Sequence, residues 1–108
     1  VDAPELDQPY GIQSKRFLTK TLRESRVMVR VNHKDQYGRI LGTIIKGQED
    51  INLLLIKTGH AWWYRHYKEQ QPLSVQRLYE SAELEAKDLR KGLWREARPI
   101  NPYKWRSL

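Results

Sequence analysis

The 108-residue chain contains no cysteine, which excludes a disulfide framework and any thiolate-held metal while leaving the compartment open. It also lacks an apolar run long enough to cross a bilayer. Its most hydrophobic stretch, Leu53-Leu54-Leu55-Ile56, ends at Lys57 and reads as a core segment. No N-terminal stretch has the basic-then-apolar build of a signal peptide. The expectation is therefore a cytosolic chain, or a secreted or periplasmic one already processed or trimmed. The three histidines, His33, His60 and His66, share neither His-Glu-x-x-His nor zinc-finger spacing, which argues against a histidine-held metal. Internal repeats and low-complexity segments are missing too.

What is present is charge. Hydrophobic residues make up 39% and charged residues 31% of the chain, the balance of one domain, residues 1–108, that buries a single modest core. Twenty Lys and Arg against thirteen Asp and Glu leave a net charge of +7, and a basic surface on a small domain points to a polyanion, most often nucleic acid. The charge is uneven. Between Arg90 and Arg106 six basic residues face one acid, Glu96, whereas Asp2, Glu5 and Asp7 crowd the first seven positions. An acidic focus in a basic protein is what a metal site acting on phosphate looks like; a solvated terminus reads the same by charge alone.

The acidic focus has local stiffness. In Val1-Asp2-Ala3-Pro4-Glu5, Pro4 fixes its own φ and pushes Ala3 toward extended geometry, so Asp2 and Glu5 leave a strand on a rigid exit. Paired with Arg39 of Asp35-Gln36-Tyr37-Gly38-Arg39, they supply a metal ligand, a base for water and a cation for developing charge. That is the minimum equipment for metal-assisted attack on a phosphodiester.

Downstream, the breaker Gln8-Pro9-Tyr10-Gly11 precedes apolar residues at helical spacing, predicting a helix from about Ile12 to Arg23. Val27, Val29 and Val31 alternate as in a half-buried strand, and Asp35 to Gly38 turns the chain into a second strand over residues 39–45. Asp50 is placed to cap a short helix with Ile51, Leu54 and Leu55 inward, and Gly59 to end it. Residues 61–67 interleave aromatic and basic side chains as a short strand, followed by a polar loop from Lys68 to Pro72. A long helix from about Leu73 to Lys91 carries Val75, Leu78, Tyr79, Ala82, Ala86 and Leu89 on one face. It also spaces Glu83 and Lys87 for an i,i+4 pair and stops at Gly92. Trp62, Trp63 and Trp94 read as packing residues, and the segment after Trp94 as an irregular tail. This is an α+β pattern with a thin sheet, for isolated hairpins are marginal in water.

Five motifs in order carry a resemblance. They are Val-Asp-Ala-Pro-Glu, the helix-opening Gln-Pro-Tyr-Gly, Asp-Gln-Tyr-Gly-Arg-Ile-Leu-Gly, the run from Asn52 to Trp62, and Gly92-Leu93-Trp94. Together they resemble the staphylococcal nuclease (thermonuclease-like) domain over essentially the whole chain. The resemblance implies an OB-type five-stranded β-barrel with three helices, of which the N-terminal strands are absent from this chain. A strand-exchanged homodimer is one way to supply them. It implies calcium-dependent hydrolysis of DNA and RNA phosphodiesters, with no membrane partner. Asp2 and the main-chain carbonyl of Ala3 match calcium ligands, Glu5 the residue that prepares water, and Arg39 a phosphate-clamping arginine. Tyr37 matches a phosphate contact and Tyr67 an aromatic flanking the base. Gln36 stands where a lysine is frequent and Arg65 where a tyrosine stands in some members. The family's partner aspartate and second clamping arginine would both precede Val1. The alternative reading is a non-catalytic module of the same fold that binds nucleic acid or protein.

Overall fold

The computed structural model describes the backbone of all 108 residues and the side chains of all but Asn32 and Tyr67. After an N-terminal loop the chain forms helix α1 (Gly11–Leu22) and strands β1 (Met28–Lys34), β2 (Ile40–Lys46) and β3 (Glu49–Asp50). Helices α2 (Ile51–Lys57), α3 (Leu73–Asp88) and α4 (Pro102–Trp105) follow, with 3₁₀ turns at Arg65–Gln70 and Gly92–Arg95. Among the described residues the sheet is antiparallel, open and three-stranded, in the order β1-β2-β3. The expected α+β architecture is thus observed, with four helices.

The hairpin forms where the sequence places it. Gly38 takes a φ of 79° and closes the turn, and the β1–β2 register shifts between Val31 and His33, a bulge of the kind that raises local twist. The alternating valines, however, are not half-buried: Val29 is 52% and Val31 57% exposed. Among the described residues β1 is an edge strand paired with β2, and the exposure of these valines shows its face open to solvent as well. β3 spans only two residues and leaves much of the other edge of β2 without a strand. There Asn52 of α2 stands in, its Oδ1 accepting from the Ile44 N–H at 3.0 Å and its Nδ2 donating to the Gly42 carbonyl at 3.0 Å.

The core lies between α2 and α3. Asp50 caps α2, accepting from the Leu53 N–H at 2.9 Å, and leaves Ile51, Leu53, Leu55 and Ile56 buried. Leu53 and Ile56 pack with Trp63, Tyr79 and Ala82. A second cluster joins Ala86, Leu93 and Trp94, with Tyr10 and Trp62 against it. Trp62 meets Trp94 edge-on at 4.5 Å, so the tryptophans pack as anticipated.

Three local expectations need correction. Residues 61–67 form no strand beyond one bridge at Trp62, and a 3₁₀ turn begins at Arg65. On α3, Leu78 and Leu89 are exposed while Glu83 is fully buried. The tail is not wholly irregular, because α4 closes it. Its signature was legible: Asn101 accepts from the Tyr103 N–H at 2.9 Å as an N-cap, and Pro102 occupies the first helical position.

Candidate functional site

The N-terminal loop is held at both ends. The Asp2 N–H donates to the Trp62 carbonyl and the Trp62 N–H to the Asp2 carbonyl, both at 2.9 Å, a single antiparallel bridge. Pro4 is buried beside it. Further on, the buried Gln8 side chain accepts from the Glu5 N–H at 2.8 Å and donates to the Ile100 carbonyl at 2.9 Å. Gly11 makes the tight return possible: a Cβ there would lie 1.9 Å from the Glu5 carbonyl oxygen, so no other residue fits. Backbone pairing, a buried amide and a glycine approach thus aim Asp2 and Glu5 outward on a fixed loop.

The β1–β2 turn supplies the facing wall. Asp35 Oδ1 accepts from the N–H groups of Tyr37 and Arg39, each at 2.9 Å, and its Oδ2 takes the Arg39 Nε at 2.6 Å. The Asp35 side chain is 1% exposed, whereas Arg39 is 70% exposed with its guanidinium 5.5 Å from the Tyr37 ring centroid. Burial alone would raise the Asp35 carboxyl, but the hydrogen bonds and positive charge from Arg39 and the Tyr37 amide hold it below the ordinary range. Asp35 therefore orients the arginine.

Between these walls lies a cleft of about 860 Å³ lined by Asp2, Glu5, Tyr37, Arg39 and Arg106 among others. Four of the residues singled out from sequence thus share one cavity, and Ala3 is exposed in the same loop. Tyr67, the expected base-flanking aromatic, has its side chain outside the described residues. Arg65 does not face the cleft's carboxylates; it pairs with Glu83.

The cleft holds four residues that sequence reasoning did not single out as site residues. His66 and Tyr103 stack at 4.0 Å, with Tyr64 tilted against His66 at 5.2 Å, making an aromatic wall. Arg106 reaches both candidate carboxylates, Asp2 Oδ2 at 3.0 Å and Glu5 Oε1 at 2.7 Å. The hydrogen bonds to Asp2 and Glu5 raise the Arg106 pKa still further, keeping it charged. The signals available for these were the mixed aromatic and basic run at residues 61–67 and the basic excess near the C-terminus. Neither says which residue reaches the cleft.

In chemical type the loop suits a hard divalent cation, since the Asp2 carboxylate and the Ala3 carbonyl are oxygen donors. No group of three or more His, Cys, Asp or Glu side chains converges among the described residues. The donor set is thus right in kind and small in number. Among the described residues no helix is long and apolar enough to cross a membrane.

Comparison with known proteins agrees with the geometry. Residues 1–96 match the family model described as staphylococcal nuclease homologue. A "Probable staphylococcal-like nuclease CAN3" of Oryza sativa subsp. japonica is 35% identical over 98% of this chain and 26% of its own length. An "Uncharacterized endonuclease" of Haemophilus influenzae is 33% identical, covering 98% of this chain and 56% of its own. Another of that name from Escherichia coli is 33% identical over 98% and 66%. The chain therefore spans about a quarter of the plant relative and between about half and two thirds of the bacterial ones. The carboxylate loop, the arginine turn and helices α1 to α3 all lie within the matched stretch, and the chain belongs to the staphylococcal nuclease homologue family.

Proposed function

We propose that this chain is a nuclease domain that hydrolyses phosphodiester bonds of DNA or RNA in a calcium-dependent reaction. The observation that carries the reading is the convergence of Asp2, Glu5, Tyr37 and Arg39 on one cleft, from a loop and a turn 30 residues apart in sequence, each held by its own hydrogen bonds. In this reading Asp2 and the Ala3 carbonyl hold calcium, with water and substrate oxygens completing its shell. The bound metal would neutralise charge on the phosphate. Glu5 orients and deprotonates the attacking water. Arg39, kept in place by Asp35, donates to the phosphoryl oxygens as negative charge builds, work suited to a planar two-pronged donor. Tyr37 contacts a phosphate and Tyr67 flanks a base. The relatives named as nucleases and endonucleases support the substrate class, as does the net charge of +7.

Two structural proposals accompany this. Residues 1–108 act as one domain, and the five-stranded barrel of the family is completed on the exposed face and edge of β1 by strands not among these residues. Those strands come from elsewhere in the polypeptide or from a second copy. Exposure of Met28, Val29, Val31 and Ile40 supports that completion.

The test is hydrolysis of single-stranded DNA with calcium and with chelator, using the parent chain, Glu5→Gln and Arg39→Ala. Calcium-dependent cleavage reduced by two orders of magnitude or so in either variant is the expected outcome. Equal activity in every sample would remove the assignment. A second reading, a non-catalytic nucleic-acid- or protein-binding module, is favoured by one observation: both carboxylates are already satisfied by Arg106. It predicts no cleavage under any metal condition, with DNA binding retained if the partner is nucleic acid.

A further inference from the structure

Arg106 lies beyond the stretch that matches the family and has no role in the reaction proposed above. One guanidinium nevertheless bridges both carboxylates: Nη1 donates to Glu5 Oε1 at 2.7 Å and Asp2 Oδ1 at 3.3 Å, and Nη2 to Asp2 Oδ2 at 3.0 Å. Exposed ion pairs of long side chains contribute little when both partners must be ordered to make them. Here the backbone that delivers Arg106 is ordered by other contacts. Pro102 is fully buried, Trp105 donates from Nε1 to Asp7 Oδ1 at 3.0 Å, and the Gln8 amide holds the Ile100 carbonyl at 2.9 Å. Both ends of α4 are thereby tied to the loop that bears Asp2 and Glu5.

The consequence is a contest for the same atoms. A divalent cation bound to Asp2 needs the carboxylate oxygens that Arg106 occupies, and two cations at one carboxylate repel each other at these separations. We infer that Arg106 is an internal counter-cation of the site, competing with a divalent metal for Asp2 and Glu5, so that α4 acts as a latch on metal uptake. The inference rests on the calcium reading of this loop. Apparent metal affinity falls by the fraction of molecules in which the latch is open. The released guanidinium stays in the cleft, tethered by Trp105.

The deciding measurement is calorimetric titration with calcium alone, without nucleic acid, on the parent chain and on Arg106→Gln, Arg106→Lys and Trp105→Ala. The glutamine variant is expected to bind calcium at least about fivefold more tightly. The lysine variant should fall between it and the parent, because an ammonium makes single-point contacts where arginine bridges. Trp105→Ala, which keeps the guanidinium but loosens its anchor, should also bind more tightly. The gain must vanish when Asp2→Asn is added to Arg106→Gln. Near-ultraviolet circular dichroism checks that each variant is folded; if Trp105→Ala is not, the Arg106 pair decides. Affinity in Arg106→Gln equal to or weaker than the parent overturns the latch, and so does failure of every protein to bind calcium. Hydrolysis at saturating calcium separates the two proposals. Tighter binding with no cleavage in any variant keeps the latch and removes the nuclease, whereas cleavage with unchanged affinity does the reverse.

Discussion

Glu83 sits on α3 with none of its side chain exposed, where a carboxylate has to be matched by donors or be neutral. It accepts the Trp63 N–H at 2.7 Å through Oε2, while Oε1 receives Arg65 Nη2 and, at 3.3 Å, Lys87 Nζ. Burial pushes its pKa up, yet these bonds and the two positive charges outweigh it and leave the carboxyl below its ordinary value. Both cations are more than a third exposed and regain water if the acid is lost, so the lasting cost of Glu83→Ala is the buried Trp63 N–H. The expected destabilisation is about 1–3 kcal/mol, measured by urea unfolding; a change under about 0.5 kcal/mol would contradict this account. Sequence spacing identified the Lys87 partner, because i and i+4 share a helix face. It was silent on Arg65, which comes from a different element.

At the scale of elements, two glycines hold the ends of α2 and α3 against one another. Gly59 takes a φ of 75° and Gly92 one of 52°, and the Gly59 carbonyl accepts from the Leu93 N–H at 2.8 Å. A Cβ on Gly59 would lie 2.2 Å from the Lys91 carbonyl oxygen, and one on Gly92 2.2 Å from the Gly59 oxygen. Gly59→Ala therefore meets both left-handed strain and a backbone clash, and is expected to cost more than about 2 kcal/mol. Its measure is the midpoint of thermal unfolding, where no shift would show that the two turns part freely. Each glycine was recognisable as a helix stop. That the stops touch back to back was not, since nothing local to either turn encodes the other's position. The same limit applies to β1. Its valine alternation predicted a half-buried strand, yet every described residue of β1 is exposed, because whether a layer covers a face depends on what else packs there.

For the whole molecule, three side chains with lowered pKa values make stability fall toward acid. Desolvation lowers the His60 pKa from its ordinary 6.5, in keeping with a ring stacked 4.1 Å from Phe17. Glu83 and Asp35 are lowered from 4.5 and 3.8. In each case the unfolded chain takes up its proton at a higher pH than the folded one, so stability falls as pH falls. The loss starts as pH drops below about 6.5 through His60, steepens below about 4.5 through Glu83 and continues through Asp35, each contribution vanishing once the folded group is protonated. The growing positive charge on a chain already at +7 acts in the same direction. Thermal unfolding from pH 8 to pH 3 at constant ionic strength is the check, and a midpoint that rises between pH 7 and pH 4 would refute it.

What the amino-acid order determined by itself is whatever short-range chemistry dictates: the proline-stiffened carboxylate loop, the Asp35–Gly38 turn that orients Arg39, the Asp50 cap, the glycine stops and the basic balance. Each depends on residues within a few positions of one another, where sterics and hydrogen bonding leave few choices. Tertiary structure alone decided that Glu83 goes inward to join Trp63 and Arg65. It decided too that Asn52 takes the place of a strand along β2, and that Arg106, more than a hundred positions away, closes on Asp2 and Glu5. Those contacts join elements whose relative placement follows from burial of the shared core, a property of the whole chain that no local pattern records.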